Sequence, residues 1–350
     1  MATNIGILGF AHGHVGSYCS VWKQQPDEVR LVAGWDHDTA RAKASAEQFG
    51  VALAASADEL CGRSDVDAVV IGAETVHHAD LVEAAARAGK AIVVQKPTAL
   101  TMAQADRMVA AVQRHKVPFT MAWQMRVDPQ NIEMKRLLES GRFGRVFMIR
   151  RRHGLSTHTW AGFENSWHVQ PALNRGMWAD DAAHAIDWLL WMHGCPETVS
   201  AEIATLHSPK LPDDNGIAVF RYADGTFAEI TCSFTCVAAE NTVEIVAERG
   251  SIVQNFGDAP SANAPRPPGG IGLKWMLQGD RAWTISEIAS PANHGLRIQA
   301  VAPEILRFLR GQRPAICTVE EGRQSLRMTL ACYASADSGR RVRVADIAQV

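Results

Sequence analysis

Over its first 121 residues the chain alternates short apolar runs with stretches of helical periodicity, and no other feature constrains the fold as strongly. The apolar runs are Asn4–Gly9, Val29–Trp35, Asp67–Gly72, Ala91–Val94 and Val117–Met121. Between them lie helical stretches: one ending near Gln25, then Thr39–Phe49, His78–Ala88 closed by Gly89, and Thr101–Arg114. Strands alternating with helices predict a parallel, doubly wound sheet.

In such a sheet, ligands bind beyond the carboxyl ends of the strands. The first run leads into Gly9-Phe-Ala11-His12-Gly13-His14-Val-Gly16. Glycines at a strand-to-helix turn let the backbone approach a pyrophosphate seated on the helix N-terminus. A strict G-x-G-x-x-G would place glycines at 9, 11 and 14, where this chain has Gly9, Ala11 and His14. Gly13 and Gly16 then take over in a lengthened loop, and Gly9, Ala11, His12, Gly13 and His14 form the expected phosphate side. The second run ends at Asp36, at about the right distance to hold the ribose hydroxyls of a dinucleotide. A carboxylate there repels a 2′-phosphate, which favours NAD; His37 and Arg41 beside it leave NADP open. Asp38 is the better N-cap for the following helix.

A third strand end carries Gln95-Lys96-Pro97. The buried-looking run Ala91–Val94 delivers Lys96 to the ligand side, and the proline stops the strand. A solvated lysine at a strand end is the bland alternative. The residues before and after it argue for a ligand group.

Past Arg126 the pattern changes, which divides the chain into a nucleotide-binding domain at 1–123 and a second domain at 124–350. A helix, Pro129–Ser140, precedes the strand Val146–His153. A segment rich in Trp and His follows, and then a helix, Asp180–His193. Strands dominate afterwards, with hairpin signals at Ala223-Asp-Gly225 and Glu248-Arg-Gly250. Asp258–Gly272, rich in Pro, Gly and Ala, reads as a loop, and helices near Arg297–Arg310 and Val319–Ser338 close the chain. In Phe227–Val237, Ala228, Ile230, Cys232 and Phe234 share the face that meets helices. Glu229, Thr231, Ser233 and Thr235 share the other face, which is solvated or pairs with a second subunit's sheet. The Thr/Ser stretch is too weakly charged for an obviously solvated face, which suits a second subunit.

Asp180, His184 and Asp187 fall at i, i+4 and i+7 and so share one face of their expected helix. A histidine between carboxylates is a proton-transfer group, because a carboxylate fixes its tautomer and stabilises the imidazolium. A solvated helix face capped by Asp180 is the alternative. Trp178, Trp188 and Trp191 favour a partly buried face. Arg126, His153, His158, Trp160, Trp167 and His168 are candidates for the substrate side. A tryptophan there stacks on a sugar's C–H face or simply packs.

Bulk properties exclude several classes. A formal net charge of −2 lacks the basic footprint of a nucleic-acid binder. No apolar run is long enough for a membrane span. The start lacks a basic n-region, so no signal peptide is expected. Seven cysteines without a CxxC pair argue for a reducing cytosol, no disulfide framework and no zinc site. The histidine spacings match no standard metal-ligand pattern, so no metal is expected.

Gln95-Lys96-Pro97 followed by Asp180-Asp-Ala-Ala-His184 resembles the glucose–fructose oxidoreductase, inositol dehydrogenase and MocA (Gfo/Idh/MocA) family. Its usual pattern is Glu-Lys-Pro at a strand end, then Asp-x-Gly-x-His on a helix. Asp67–Ile71 with His78, Gly89–Val94, Gly141-Arg-Phe-Gly144 and Ser335–Gly339 resemble it too, so the likeness spans nearly the whole chain. The resemblance implies a Rossmann α/β domain followed by an α+β domain with a large open, mostly antiparallel sheet. It implies NAD(P) and a polyol, sugar or sugar-derivative substrate. Lys96 and His184 would contact the reacting hydroxyl, Asp180 would hold substrate or lysine, and His78, Gln95 and Lys96 would lie on the cofactor side. Gln95 replaces the usual glutamate and Ala182 the usual glycine. The expected function is a cytoplasmic NAD(P)-dependent dehydrogenase, a homodimer or homotetramer. An NAD-using glycosidase or lyase with transient sugar oxidation, and a non-enzymatic dinucleotide or sugar sensor, are the alternatives.

Overall fold

The computed structural model describes residues 2–238, 241–256 and 268–347. The alternating half forms β1 (Thr3–Leu8), α1 (Gly13–Trp22), β2 (Val29–Trp35), α2 (Thr39–Phe49), β3 (Ala52–Leu53), α3 (Ala57–Gly62) and β4 (Ala68–Ile71). It continues with α4 (His78–Arg87), β5 (Ala91–Val94), α5 (Met102–His115) and β6 (Phe119–Met121). All its strand pairs are parallel, in the order β3-β2-β1-β4-β5-β6. The order reverses between β1 and β4, where such a sheet opens a ligand crevice. Gly9 sits at this point with φ +86°, and a Cβ there would lie 2.5 Å from the Ala73 backbone. Only glycine meets both demands.

β3 and α3 were not legible as periodic runs. β3 is a two-residue edge strand exposed on both positions. α3 has six residues, too few to show a period, although Ser56 caps it by accepting from Glu59 N. β6 begins at Phe119 rather than Val117 because Pro118 has no N–H for a ladder.

The second half contributes α6 (Pro129–Glu139), β7 (Val146–Gly154), α7 (Pro171–Asn174), a π turn at Trp178–Ala182 and α8 (Ala183–His193). The strands β8 (Thr198–Ala204), β9 (Asn215–Arg221), β10 (Phe227–Ser233), β11 (Thr242–Ala247), β12 (Gly250–Gln254), β13 (Leu273–Leu277) and β14 (Thr284–Ile285) follow. The chain closes with α9 (His294–Gln299), α10 (Val301–Leu309), α11 (Val319–Ser338) and β15 (Val342–Arg343). Nine strands form one sheet in the order β14-β13-β12-β11-β7-β10-β9-β8-β15. Among the described residues only β7 and β10 of this sheet pair in parallel, so the sheet is mixed but mostly antiparallel.

As expected, Ala228, Ile230 and Cys232 are buried while Glu229, Thr231 and Ser233 are half-buried. The open face is not weakly charged, however. Glu229 and Thr231 lie beside Arg150 and Arg152 of β7, and Arg150 pairs with Glu229 and Glu244. Ile217, Val219 and Phe227 are exposed among them. Most of the proline- and glycine-rich segment Asp258–Gly272 lies outside the described residues. The single helix expected near 297–310 is two, α9 and α10. These C-terminal elements return to the first sheet: Trp22 Nε1 donates to Ala302 O, and Met121 N to Cys317 O. Among the described residues, no helix is long and apolar enough to cross a membrane.

Candidate active site

Lys96 leaves the fully buried end of β5 into a cavity at the junction of the two sheets. Gln95 steadies it from behind: its Nε2 donates to Tyr18 OH at 2.7 Å and its Oε1 accepts from Lys96 N at 3.3 Å. The Lys96–Pro97 peptide is cis. Lys96 is 3% exposed, and its Nζ lies 3.2 Å from both the carbonyl oxygen and Oδ1 of Asp180. Asp181 Oδ1 is 4.0 Å away. An ammonium has three donors, so Asp180 leaves one for a ligand.

Asp180 also accepts from Asn174 Nδ2 at 2.8 Å and pairs with His168 Nδ1 at 3.1 Å. Burial works to raise its carboxyl, but the Lys96 charge and the bonds from His168 and Asn174 prevail and hold it well below the usual range. Its neighbour Asp181 bridges two histidines. Asp181 Oδ2 lies 3.3 Å from His153 Nε2, and Oδ1 lies 3.4 Å from His184 Nε2. Burial holds His184 well below its ordinary pKa; Asp181 pulls upward without prevailing, and Lys96 and His153 push down. His184 is therefore a neutral imidazole near pH 7, with Nδ1 buried and making no hydrogen bond.

This corrects the expectation of Asp180, His184 and Asp187 as one helical face. The π turn at Trp178–Ala182 widens the spacing just before α8, so the carboxylate that meets His184 is Asp181. Such turns gather at functional sites. Asp187 faces the core, where it binds Arg126 through two 2.9 Å bonds. Arg126 also donates to Ile316 O and pairs with Glu321. It is 3% exposed and does not line the cavity, so it is a core ion pair rather than a substrate group.

The cavity wall includes Trp160, Phe163 and His168 from the Trp/His-rich segment, with Trp160 36% exposed at the rim. Trp167 is not in the wall. Its indole donates to Ala11 O at 3.1 Å and stacks on His168 at 3.9 Å, tying this segment to the glycine loop. His158 packs edge-on against His207. His153 acts from behind, through Asp181. Neither Gln95 nor His78 lines the cavity. His78 is fully buried, with its ring nitrogens 3.2 Å from Thr98 O and Ala73 O, so it ties together the loops after β4 and β5. Asp181, Asn174 and His294 were missed. The doubled aspartate was a visible signal for the first; Asn174 and the wall residue His294 carry no local one.

At the cavity's other wall, His12, Gly13 and His14 open α1. A Cβ on Gly13 would meet nothing within 4 Å, and the first turn has no acidic residue. His12 Nε2 and His14 Nδ1 are buried without a hydrogen-bond partner. His14 N is capped by His12 Nδ1 at 3.3 Å, so the fit to a dinucleotide rests on the helix N-terminus itself, the open space at Gly13 and these orphaned ring nitrogens. At Gly16 a Cβ would only touch Phe49, at 3.5 Å, so the packing there does not require glycine. Asp36 is more occupied than expected. Its oxygens accept from Phe10 N, Asp38 N, and Arg41 Nε and Nη2 at 2.7–2.9 Å. Ribose hydroxyls reach it only by sharing with or displacing Arg41. Asp38 caps α2 as expected.

Residues 3–123 match the family model described as an oxidoreductase family with an NAD-binding Rossmann fold. Residues 132–253 match the GFO/IDH/MocA C-terminal domain. The chain belongs to the Gfo/Idh/MocA oxidoreductase family. It is 29% identical over 313 residues to myo-inositol dehydrogenase Hyg17 of Streptomyces leeuwenhoekii, covering 87% of this chain and 89% of that one. It is 33% identical over 214 residues to inositol 2-dehydrogenase 2 of Saccharopolyspora erythraea, covering 60% of this chain and 58% of that relative. A solved levoglucosan dehydrogenase in complex with NADH and levoglucosan superposes with a TM-score of 0.82 over 98% of this chain and 100% of that one. At 20% identity, that likeness is one of fold. As a member of the Gfo/Idh/MocA family, the chain is an oxidoreductase with an NAD-binding first domain.

Proposed function

We propose that this chain is an NAD-dependent dehydrogenase acting on a secondary alcohol of a cyclic polyol or sugar. The observation that carries the reading is a single cavity in which Lys96, the neutral His184 and the glycine loop of α1 all meet. Bound nicotinamide would supply the hydride acceptor. The chain's own residues do the rest. Lys96 offers its remaining donor to the hydroxyl oxygen and stabilises charge as it develops. His184, neutral near pH 7, takes the hydroxyl proton. Asp181 holds the His184 ring, and Asp180 holds Lys96 in reach. Trp160 offers an apolar ring at the rim, suited to a sugar's C–H face. The inositol dehydrogenases among its relatives support a cyclic polyol.

Residues 1–123 form the nucleotide domain in this reading, and 124–350 the substrate domain. Ile217, Val219 and Phe227 on the open sheet face suit a homodimer or homotetramer, and the free cysteines suit the cytoplasm. The test is NAD with a panel of inositols, aldoses and glycosides, followed by NADH absorbance. At least one member should yield one NADH per product. Substrate consumed without net NADH would replace this reading with transient oxidation.

A further inference from the structure

A second cluster lies where the loops after β2 and β4 meet, away from the residues that line the cavity. His37 follows β2, and Glu74 and His77 follow β4. One ligand atom from each can be chosen so that all lie within 4.8 Å of one another. The two imidazole rings are 4.6 Å apart and tilted by 50°. Glu74 is 4% exposed. Its Oε1 accepts from Arg41 Nη2 at 2.9 Å, but its Oε2 is buried with no hydrogen-bond partner. His37 Nδ1 stands 3.7 Å from Oε2, too far for a hydrogen bond. A buried carboxylate oxygen left bare is costly, so the arrangement calls for a cation. Local charge agrees, because Asp36 and Glu74 outnumber Arg41.

We propose that His37, Glu74 and His77 bind a divalent transition-metal ion. Two imidazoles and one carboxylate suit zinc and its neighbours, whereas magnesium and calcium favour all-oxygen sites. Three protein ligands leave a position open to water. Bonds of roughly 2.0–2.2 Å require the ligand atoms to draw closer together. His37 has that freedom, since its side chain is 42% exposed. The ion would pin the β2 loop to the β4 loop. It would bind only the folded chain and raise its melting temperature. The site adjoins the ribose position of the dehydrogenase reading, since His37 Nδ1 also lies 3.4 Å from Asp36 Oδ1, so metal binding is tested without NAD.

The experiment is calorimetric titration of the NAD-free protein with Zn²⁺ alone, and with Mg²⁺ for comparison, alongside melting curves. Wild type should bind Zn²⁺ far more tightly than Mg²⁺ and melt at a higher temperature with it. His77→Ala, Glu74→Gln and His37→Ala should each weaken this binding at least tenfold and abolish the melting shift. His37 is exposed, so His37→Ala keeps the test valid if a buried-site variant fails to fold. Zn²⁺ affinity unchanged in His37→Ala would place the metal elsewhere and overturn the proposal. So would the absence of a Zn²⁺-dependent melting shift in wild type.

Discussion

Two buried ion pairs join one helical segment to the residues around the first sheet's strand ends, and they differ in completeness. Asp187 and Arg126 are bound by two 2.9 Å bonds, and the remaining guanidinium nitrogen is taken by Ile316 O and Glu321. Asp180 and Lys96 meet at 3.2 Å, with His168 and Asn174 sharing the carboxylate and one lysine donor left over. A bidentate arginine fork fixes geometry, whereas an ammonium is a compact charge with movable donors. The saturated pair holds the fold, and the unsaturated pair serves a ligand.

Removing one partner of each pair tests the contrast. Asp187→Ala leaves the buried guanidinium only its Nη1 contacts to Ile316 O and Glu321 and should cost about 3–5 kcal/mol in urea unfolding. Asp180→Ala should cost clearly less, because Lys96 borders a cavity that water can enter. Equal losses would erase the distinction. A smaller effect comes from pH. His78 is pushed down to about 4 by burial, and burial likewise lowers His12, His14 and His184. Each binds its proton in the unfolded chain below about pH 6.5 but not in the folded one. Stability is therefore lost as pH falls from 6.5 toward 4, with a slope of up to roughly 1.4 kcal/mol per pH unit for each group. Unfolding curves at pH 7, 6 and 5 read it, and a flat profile would mean these rings are hydrated. The smallest effect belongs to Asp181→Asn. Losing its charge lowers the His184 pKa further, so the acidic limb of kcat/KM moves to lower pH while kcat falls about tenfold. A limb that stays put would remove Asp181 from the proton-transfer pair.

The first domain was legible because its central strands are buried on both faces and read as continuous apolar runs. Asp36, Lys96 and the glycine loop fell at strand ends for the same reason. The histidine's partner was not legible. A 3.6-residue period assigns Asp180 and Asp187 to His184, and nothing in Trp178–Ala182 announces a π turn. Arg126 looked like a ligand group because charge was visible and burial was not. His294 reaches the cavity from a helix 110 positions after His184, a contact made only by tertiary packing.

The most direct test of the shared-cavity chemistry is steady-state turnover of Lys96→Ala and His184→Ala beside NAD affinity by calorimetry. Each variant should lose roughly a hundredfold or more in kcat, the usual scale for an acid–base group, while NAD Kd changes by less than about threefold. Near wild-type turnover in either variant would contradict the assignment, and His153 or His168 would become the candidate base.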